Sequence, residues 1–446
     1  MVSLSDFATK PAILCVRCQS AVEESAPRCR CGALGEVRPP LEVLDGAALK
    51  ATFESRRGAR RGPDRSGVWR YRELIMAGLP AERIVTRLEG NTRLYEPTAL
   101  ARTVGIRELL VKHEGENPSG SFKDRGMTAG VTRARHLGAR AIACASTGNT
   151  SASLAAYGAA AGLPAVVFVP AGKISRGKLV QTLAFGARVL EIDGNFDRAL
   201  ELVQEASREL GMFLLNSVNP WRVEGQKSIM IELMDELDWQ PPDWVIFPAG
   251  NLGNTSAFGK GLRELKELGL IDRLPRLAAV QAEGSSPFAR YFRRRSEAAS
   301  PAGVACDPVA QPETVATAIR IGAPASWEKA IREIESTNGL VTSVSDAEIM
   351  NAKARIDQAG IGCEPASAAS LAGLQRLLAE GIVKPDEQVA IILTGHILKD
   401  PDTTIAWHEG SLGLPAEPPE LARRTSRVGA SLEAIRAALP ELLETS

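Results

Sequence analysis

A single lysine, Lys123, stands in the segment ENPSGSFKDRGMTAG (116–130), between a turn-forming stretch and the predicted first turn of a helix. Ser121 and Asp124 match an S-x-x-D capping box, which predicts that the helix begins at about Phe122. A lysine in that turn opposes the helix dipole by about 0.3–1 kcal/mol, so stability alone does not favour it. Burial there would depress the pKa of the amine and make it a neutral nucleophile. These residues alone leave a catalytic lysine and a solvated lysine equally open.

Four of the seven cysteines lie close together near the N-terminus: Cys15, Cys18, Cys29 and Cys31. Pairs at this spacing in a reducing compartment favour a tetrahedral zinc site over disulfides, with four metal-free thiols as the alternative. A closed site of four thiolates would be structural, because it has no open catalytic position. We expect buried, inert thiols at the other three positions, Cys144, Cys306 and Cys363.

Small, hydrogen-bonding residues form four loops, each directly after a predicted strand. The loops are NPSGSFKD (117–124), STGNTSAS (146–153), PAGNLGNTS (248–256) and LTGHILKDP (393–401). Ligands of open α/β sheets bind beyond the carboxyl ends of the strands, where such loops lie. The P-loop and the dinucleotide-binding patterns do not match, because Gly120 is followed by serine and no G-x-G-x-x-G is found in the glycine-rich loop. The loop GNLGNTS nevertheless suits a phosphate, since its glycines admit close backbone N–H groups at a helix start.

Composition and periodicity indicate a multidomain α/β protein. The chain has 446 residues, of which 44% are hydrophobic, and single cores stop growing near roughly 250–300 residues. From about residue 107, short aliphatic runs alternate with segments of helical period, which predicts mostly parallel sheets covered by helices. The 53 basic and 53 acidic residues cancel, so no global field attracts nucleic acid or a membrane surface. Without a signal peptide or a run of roughly 20 apolar residues, we expect a cytoplasmic protein acting on a small molecule.

Taken in order, the four loops resemble those of the pyridoxal-phosphate enzymes of fold type II, and within that family those of the threonine synthases. The resemblance covers roughly residues 85–410 and includes the motifs NSVNPWRVEGQKS (216–228), AVQAEGSSPF (279–288), TVATAIRIGAP (314–324) and EPASAAS (364–370). The cysteine pairs also resemble a ribbon that some threonine synthases carry. The chain departs from the family pattern at Leu252 and Ile397.

The resemblance implies two open, mostly parallel-sheet domains with a small zinc-ribbon-like segment in front. The expected division is a four-cysteine module (1–37), an arm and the first part of the large cofactor domain (38–127), a small mobile α/β domain (128–222), the large pyridoxal-phosphate domain (223–410) and a helical tail (411–446). The stretch 293–312 is predicted to be a loop. A homodimer is expected by analogy.

The resemblance also implies roles for individual residues. Lys123 would hold pyridoxal 5'-phosphate covalently and move protons, Asn149 would bond to the ring hydroxyl, and Thr394 would meet the pyridine nitrogen. The cofactor phosphate would lie on Gly250, Asn251, Leu252, Gly253, Asn254 and Thr255. The substrate would contact Ser146, Thr147, Thr150, Asn216, Ser217 and Arg222, with the arginine on a second phosphate.

The implied reaction converts O-phospho-L-homoserine and water to L-threonine and phosphate, by γ-elimination and then addition at the β-carbon. A cysteate synthase that uses phosphoserine is the alternative that the sequence separates least well. A threonine or serine dehydratase would have no use for a second phosphate site. A catalytically inactive regulatory binding protein is a further alternative, and it would form no bond to the cofactor.

Overall fold

The computed structural model describes residues 3–24, 26, 28–172, 176–194, 196–297, 304–414 and 421–439. Within these ranges the strands form three sheets. The strands are β1 (Ala12–Cys15), β2 (Gly35–Arg38), β3 (Leu94–Tyr95), β4 (Glu108–His113), β5 (Ala141–Ala145), β6 (Ala165–Pro170), β7 (Arg188–Ile192), β8 (Met212–Leu214), β9 (Trp244–Pro248), β10 (Arg276–Ala282), β11 (Leu340–Val344) and β12 (Gln388–Leu393).

Helices follow most of the strands, and short 3₁₀ turns join several of them. The helices are α1 (Leu4–Thr9), α2 (Gly46–Arg57), α3 (Arg72–Ile75), α4 (Thr98–Val104), α5 (Lys123–His136), α6 (Asn149–Ala161), α7 (Arg176–Ala184), α8 (Phe196–Leu210), α9 (Pro220–Glu236), α10 (Gly253–Glu267), α11 (Pro287–Glu297), α12 (Trp327–Ser336), α13 (Asp346–Gln358), α14 (Pro365–Ala379), α15 (Pro401–Glu409) and α16 (Leu432–Ala438). In the described part of the chain, none of these helices has the length and apolar character needed to cross a membrane.

The larger sheet has six strands in the order β11-β10-β9-β12-β4-β3, and only the β3–β4 pair is antiparallel. Strand β12 lies inside it, and its side chains alternate between two hydrophobic cores. Ala390 and Ile392 face one core, whereas Ile391 and Leu393 face the other. A parallel sheet covered on both faces requires such a continuous aliphatic run.

The smaller sheet has four parallel strands in the order β7-β6-β5-β8. Its strands lie within residues 141–214, inside the range predicted for the small domain. Ile142 and Val167 pack in one core and Ala143 and Phe168 in another, so this sheet is also covered on both faces. The predicted α/β class with mostly parallel sheets is confirmed.

The N-terminal segment forms a two-stranded antiparallel ribbon in which Ala12 pairs with Arg38 and Cys15 with Gly35. Helix α1 precedes the ribbon and begins with a reciprocal capping box between Ser3 and Asp6.

Glycines allow α5 and α9 to cross at very short distance. A Cβ atom on Gly225 would lie 2.0 Å from the carbonyl oxygen of Arg125, and one on Gly126 would lie 3.0 Å from the carbonyl oxygen of Arg222. Beside the crossing, Arg125 is fully buried and donates to Glu114 and Glu232, whose carboxylates also lie in the interior. The helix that begins at Lys123 is therefore fixed to the helix that carries Arg222.

The alternating strands and helices that periodicity predicts from about residue 107 onward are found, whereas the prediction of a loop at 293–312 is wrong in part. The range 293–312 is not entirely a loop, because α11 continues to Glu297; residues 298–303 lie outside the described residues. The aromatic side chains of Phe288, Tyr291 and Phe292 pack together and favour this helix. The predicted tail helix is present as α16, and residues 440–446 lie outside the described part.

We predict that Gly225→Ala is strongly destabilising, since the new methyl group would overlap the Arg125 carbonyl and force the two helices apart. Overpacking of this kind costs about 1–3 kcal/mol or more. The measurement is the free energy of unfolding in urea. Gly58→Ala is the matched control, because no atom lies within 4 Å of a Cβ at that position. Equal stability of the two variants would contradict the tight crossing.

Candidate active site

Backbone hydrogen bonds hold the loop before α5 against the loop after β12. The N–H of Phe122 donates to the carbonyl of Thr394 at 3.0 Å, and Ser121 and Gly395 form an antiparallel bridge. Strands β4 and β12 are neighbouring parallel strands, so the loops at their carboxyl ends meet at one edge of the sheet. Lys123 and Thr394 are thereby brought to the same site.

Helix α5 begins at Lys123, close to the predicted position, but without the predicted capping box. Ser121 makes no capping hydrogen bond, and its buried hydroxyl has no partner among the described residues. The carboxylate of Asp124 instead accepts the N–H and the hydroxyl of Ser119, at 2.6 and 2.5 Å, and the hydroxyl of Ser153 at 2.5 Å. The capping-box prediction is wrong because the loop folds back on Asp124 and joins it to α6.

The side chain of Lys123 is half-buried, and its Nζ lies 3.5 Å from the ring centroid of Phe122. Burial lowers the pKa of this amine to about 7, with a further contribution from the positive charge of Arg222. The carboxyl of Glu364 acts in the opposite direction and offsets only part of this shift. A substantial fraction of Lys123 is therefore neutral near pH 7, as a nucleophilic amine requires.

Glu364 is a site residue to which the sequence assigned no role. It is buried at the start of α14 and accepts the Asn149 side-chain N–H at 3.1 and 3.3 Å. Burial raises the pKa of this carboxyl, although Asn149 and Lys123 favour its ionised form. Gly395 makes room for it, because a Cβ there would lie 2.2 Å from a Glu364 oxygen. In the sequence, Gly395 of the TGH loop was the one sign that a side chain packs closely against this loop. Only the fold shows that this side chain is Glu364.

Thr394 is buried, and its hydroxyl lies 3.1 Å from the hydroxyl of Ser367 on the first turn of α14. The Ser367 hydroxyl also accepts the N–H groups of Thr394 and Gly395, each at 2.9 Å. The position of the Thr394 hydroxyl is thus fixed by α14, and the group that it offers to a ligand is neutral.

The glycine-rich loop after β9 leads directly into α10, which begins at Gly253. The side-chain oxygens of Asn254 and Thr255 are buried and have no partner among the described residues. Backbone N–H groups at a helix start and unpaired polar side chains form a suitable site for a phosphate. Gly250 packs closely against the backbone of Ile319, because a Cβ on Gly250 would lie 3.0 Å from the Ile319 Cα.

Both departures from the family pattern fit their surroundings. Leu252 adopts a left-handed φ of 63°, which is unfavourable for leucine, but its side chain is buried in the main core. Ile397 packs against Gly362, whose absent side chain leaves room for it.

Arg222 is buried near Lys123 without a carboxylate partner. One guanidinium N–H donates to the carbonyl of Leu215 at 3.1 Å, while Nε has no partner among the described residues. Burial lowers the pKa of this guanidinium to about 10. Near this arginine the side chain of Asn251 donates to the hydroxyl of Ser217. An uncompensated buried cation next to polar side chains can bind an anion such as a phosphate ester.

The remaining predicted substrate residues differ in whether their side chains already make hydrogen bonds within the protein. Asn216 exchanges hydrogen bonds with the backbone of Ala145, donating and accepting at 3.0 Å, so its amide mainly holds the end of β5. Ser146 accepts the N–H of Gly148 at 3.3 Å. Thr147 and Thr150 are partly exposed at the start of α6, which carries Asn149.

The four N-terminal cysteines form one cluster. The Sγ atoms of Cys15 and Cys31 are 3.4 Å apart, those of Cys18 and Cys29 are 3.6 Å apart, and all four lie within 4.8 Å of one another. All four are free thiols. The cluster lies in the ribbon.

Residues 85–395 match the family model described as pyridoxal-phosphate dependent enzyme. This range is more than half of the chain and includes the loops of Lys123, Asn149 and Thr394. The chain therefore belongs to the pyridoxal-phosphate dependent enzymes, as the loops predict.

Within this family, the chain is similar in sequence to several threonine synthases. The threonine synthase of Methanocaldococcus jannaschii is 46% identical over 398 residues, which cover 89% of this chain and 94% of the relative. The threonine synthase of Methanosarcina acetivorans is 49% identical over 376 residues, covering 83% and 86%. Among solved structures, Escherichia coli threonine synthase matches with a TM-score of 0.65 at 18% identity, covering 96% of this chain and 99% of that one. At that identity the structural match shows the fold alone.

The depressed pKa of Lys123 predicts how the cofactor-free protein takes up pyridoxal phosphate. Only the neutral amine attacks an aldehyde, so the rate of covalent attachment should rise with pH around a midpoint of about 7 and then level off. Glu364→Gln should lower this midpoint, because the carboxylate favours the ammonium form. The measurement is the stopped-flow change in cofactor absorbance, with Lys123→Ala as the blank. A wild-type midpoint near 10.5, the value of an ordinary lysine, would contradict the assignment.

Proposed function

We propose that the protein catalyses the threonine synthase reaction, in which O-phospho-L-homoserine and water give L-threonine and phosphate. The observation that carries the proposal is a buried, partly neutral lysine amine near two separate sites suited to phosphate. One site is the glycine-rich loop with Asn254 and Thr255, and the other is Arg222. A cofactor phosphate and a substrate phosphate together require two such sites. The identity of 46–49% with threonine synthases over most of the chain supports the same reaction.

The residues present fit pyridoxal phosphate. Lys123 would bind it covalently, Asn149 would donate to its ring hydroxyl, and Thr394 would meet its pyridine nitrogen. Its phosphate would lie on the loop of Gly250, Asn251, Leu252, Gly253, Asn254 and Thr255, where buried oxygens lack partners. When bound, the cofactor supplies an electron sink for negative charge that develops on substrate carbons. Since Thr394 offers a neutral hydroxyl rather than a carboxylate, this residue does not hold a proton on the ring nitrogen by charge.

Lys123 would move protons at the α- and β-carbons of the substrate, for which a pKa of about 7 is well matched. Arg222 would bind the γ-phosphate and stabilise the charge that develops as the carbon–oxygen bond breaks. Ser217 and Asn251, which are hydrogen-bonded to each other, and Asn216 would complete the anion site. The N–H groups and hydroxyls of Ser146, Thr147 and Thr150 would hold the α-carboxylate at the start of α6.

A cysteate synthase is the second candidate, because it would also need a site for a substrate phosphate. The observation that supports a cysteate synthase is the buried Arg222, whose Nε has no partner among the described residues. The same observation disfavours a dehydratase, because the substrates of a dehydratase carry no phosphate.

We also propose the domain division expected from the sequence, with a small domain at 128–222 that closes on the rest and excludes water. A contact that supports closure joins Lys399, in the loop after β12, to Gln181 on α7 of the smaller sheet's domain. A homodimer is proposed by similarity, and the exposed apolar positions Leu432 and Ile435 on α16 are consistent with a subunit contact. A cytoplasmic location is proposed because four free thiols in one cluster suit a reducing compartment.

A structural zinc ion is proposed for the ribbon, bound by Cys15, Cys18, Cys29 and Cys31. Tetrahedral zinc with zinc–sulfur distances of about 2.3 Å requires sulfur atoms about 3.8 Å apart. The observed separations of 3.4 and 3.6 Å and the maximum of 4.8 Å fit this geometry. With four protein ligands the ion would have no open position, so its role would be to hold the ribbon together.

The function is tested by assaying phosphate release from O-phospho-L-homoserine with chromatographic identification of threonine, beside O-phosphoserine plus sulfite. Threonine formation is expected, and Arg222→Gln should lower kcat/KM by about 100-fold, since charged hydrogen bonds to phosphate are worth about 1.5–3 kcal/mol each. Arg135→Gln, on the exposed side of α5, is the matched control and should be unaffected. Turnover of only phosphoserine and sulfite would overturn the assignment in favour of a cysteate synthase.

The metal proposal predicts one zinc ion per chain in the purified protein, measured by inductively coupled plasma mass spectrometry. Cys18→Ser should remove it, because three thiolates and a serine hydroxyl bind zinc far more weakly. Cys306→Ser should retain it, since this thiol lies outside the cluster. Wild-type protein that folds and contains no zinc would rule out a structural metal.

A further inference from the structure

Glu24 joins the N-terminal module to both helices that carry the central site residues. Its carboxylate accepts two hydrogen bonds from Arg133 on α5, at 2.5 and 2.8 Å. The same carboxylate accepts the indole N–H of Trp221 on α9 at 2.6 Å. One carboxylate between the cysteine pairs of the sequence therefore bridges the helix of Lys123 and the helix of Arg222.

Further contacts make this bridge rigid. The guanidinium of Arg133 lies over the Trp221 ring, 5.0 Å from its centroid, and also donates to the carbonyl of Ala8. The ring of Phe7 meets Trp221 edge-on at 6.3 Å. Trp221 and Arg133 are almost fully buried. The indole is thus held by Phe7 and Glu24 of the N-terminal module and by Arg133 of α5.

Trp221 immediately precedes Arg222 in the first turn of α9. Successive residues of a helix point about 100° apart, so a rotation of this turn that moves the indole also moves the guanidinium. The turn begins at Asn219, whose side chain accepts the N–H of Trp221 at 3.0 Å. Among the described residues, the hydrogen-bond partner of the Arg222 guanidinium is the carbonyl of Leu215. The indole and its partner Glu24 therefore fix the rotation of this turn together with the close packing of α5 on α9 at Gly126.

We propose that Glu24 is a positioning residue for Arg222, so that the N-terminal module determines the affinity of the substrate-phosphate site. This inference rests on the proposed function, in which Arg222 binds phosphate. Glu24 would act through Trp221 and not by touching the phosphate. It acts because its bond to Trp221 keeps the guanidinium pre-organised, and pre-organised groups bind an anion without first losing conformational freedom.

The main test compares Glu24→Ala with Glu23→Ala in the full-length holoenzyme. Glu23 is the matched control because it is an exposed neighbour of the same charge on the same loop. Two quantities are measured: the Kd for inorganic phosphate by isothermal titration calorimetry, and the KM and kcat for phosphohomoserine. Glu24→Ala should raise Kd and KM by about fivefold to tenfold, a part of the energy of one charged hydrogen bond, and should change kcat by less than about twofold. Glu23→Ala should match the wild type.

Two further variants separate positioning from general stability. Trp221→Phe keeps the ring but removes the N–H that Glu24 accepts, and it should raise the Kd for phosphate by a similar factor. In the double variant the two effects should be less than additive, because both break the same bond. Glu24→Gln retains an acceptor oxygen and should restore part of the affinity. If Glu24→Ala does not fold, Trp221→Phe against wild type tests the same bond.

A merely structural role would give a different result. Glu24→Ala would then lower the melting temperature and the fraction of active protein, while the Kd and KM of the folded fraction would equal those of the wild type, and the proposal would be overturned. Failure of the proposed function is distinguishable, because phosphate binding requires no turnover. Wild-type protein that binds phosphate but does not convert phosphohomoserine would refute the reaction and leave Glu24 testable. Wild-type protein that binds no phosphate would refute both.

Discussion

The neutral state of one buried amine is the constraint on which the site depends. Lys123 lies half-buried at the start of a helix, where desolvation makes a charge costly, and the cation of Arg222 disfavours that charge further. The one carboxyl that favours its charged form, Glu364, is itself buried and has a raised pKa. Desolvation and the cation of Arg222 therefore outweigh the opposing effect of Glu364, and the amine is partly neutral. This arrangement suits an amine that must first attack a carbonyl and then exchange protons.

The buried scaffold charges around Arg125 are treated differently, since they are paired with one another. Arg125 lies two residues after Lys123 in α5 and donates to Glu114 and Glu232. The amine of Lys112 also contacts the carboxylate of Glu232, at 2.7 Å. Unpaired buried charges cost several kcal/mol, so such a network keeps its geometry. Together with the glycine contacts between α5 and α9, it holds Lys123 at a fixed distance from Arg222. The paired charges around Arg125 thus hold in place the site residues Lys123 and Arg222.

The sequence predicted the elements whose signal is local. Continuous aliphatic runs such as that of β12 and the four loops after strands were enough for the α/β class, the family and the position of Lys123. Short strands were missed, because β8 has three residues and is identified by its pairing with β5 rather than by its own pattern. The capping box failed and Glu364 was overlooked for the same physical reason. Both depend on partners distant in the chain, Ser153 for Asp124 and Asn149 for Glu364, which spacing alone does not show.

Buried polar atoms without partners mark the surface that a ligand must cover. Native proteins pair most such atoms, because each orphan costs about 1–3 kcal/mol. Several of those found among the described residues lie in the loops of the candidate site or in the first turns of the helices that follow them: Ser121, Arg222, Asn254, Thr255 and Ser326. A molecule bound at the site would supply hydrogen bonds to these atoms and offset that cost. Ser326 was not expected from the sequence, yet its N–H donates to the carbonyl of Asn251, so it borders the phosphate loop. Ligand binding should therefore stabilise the folded protein most at this edge of the larger sheet.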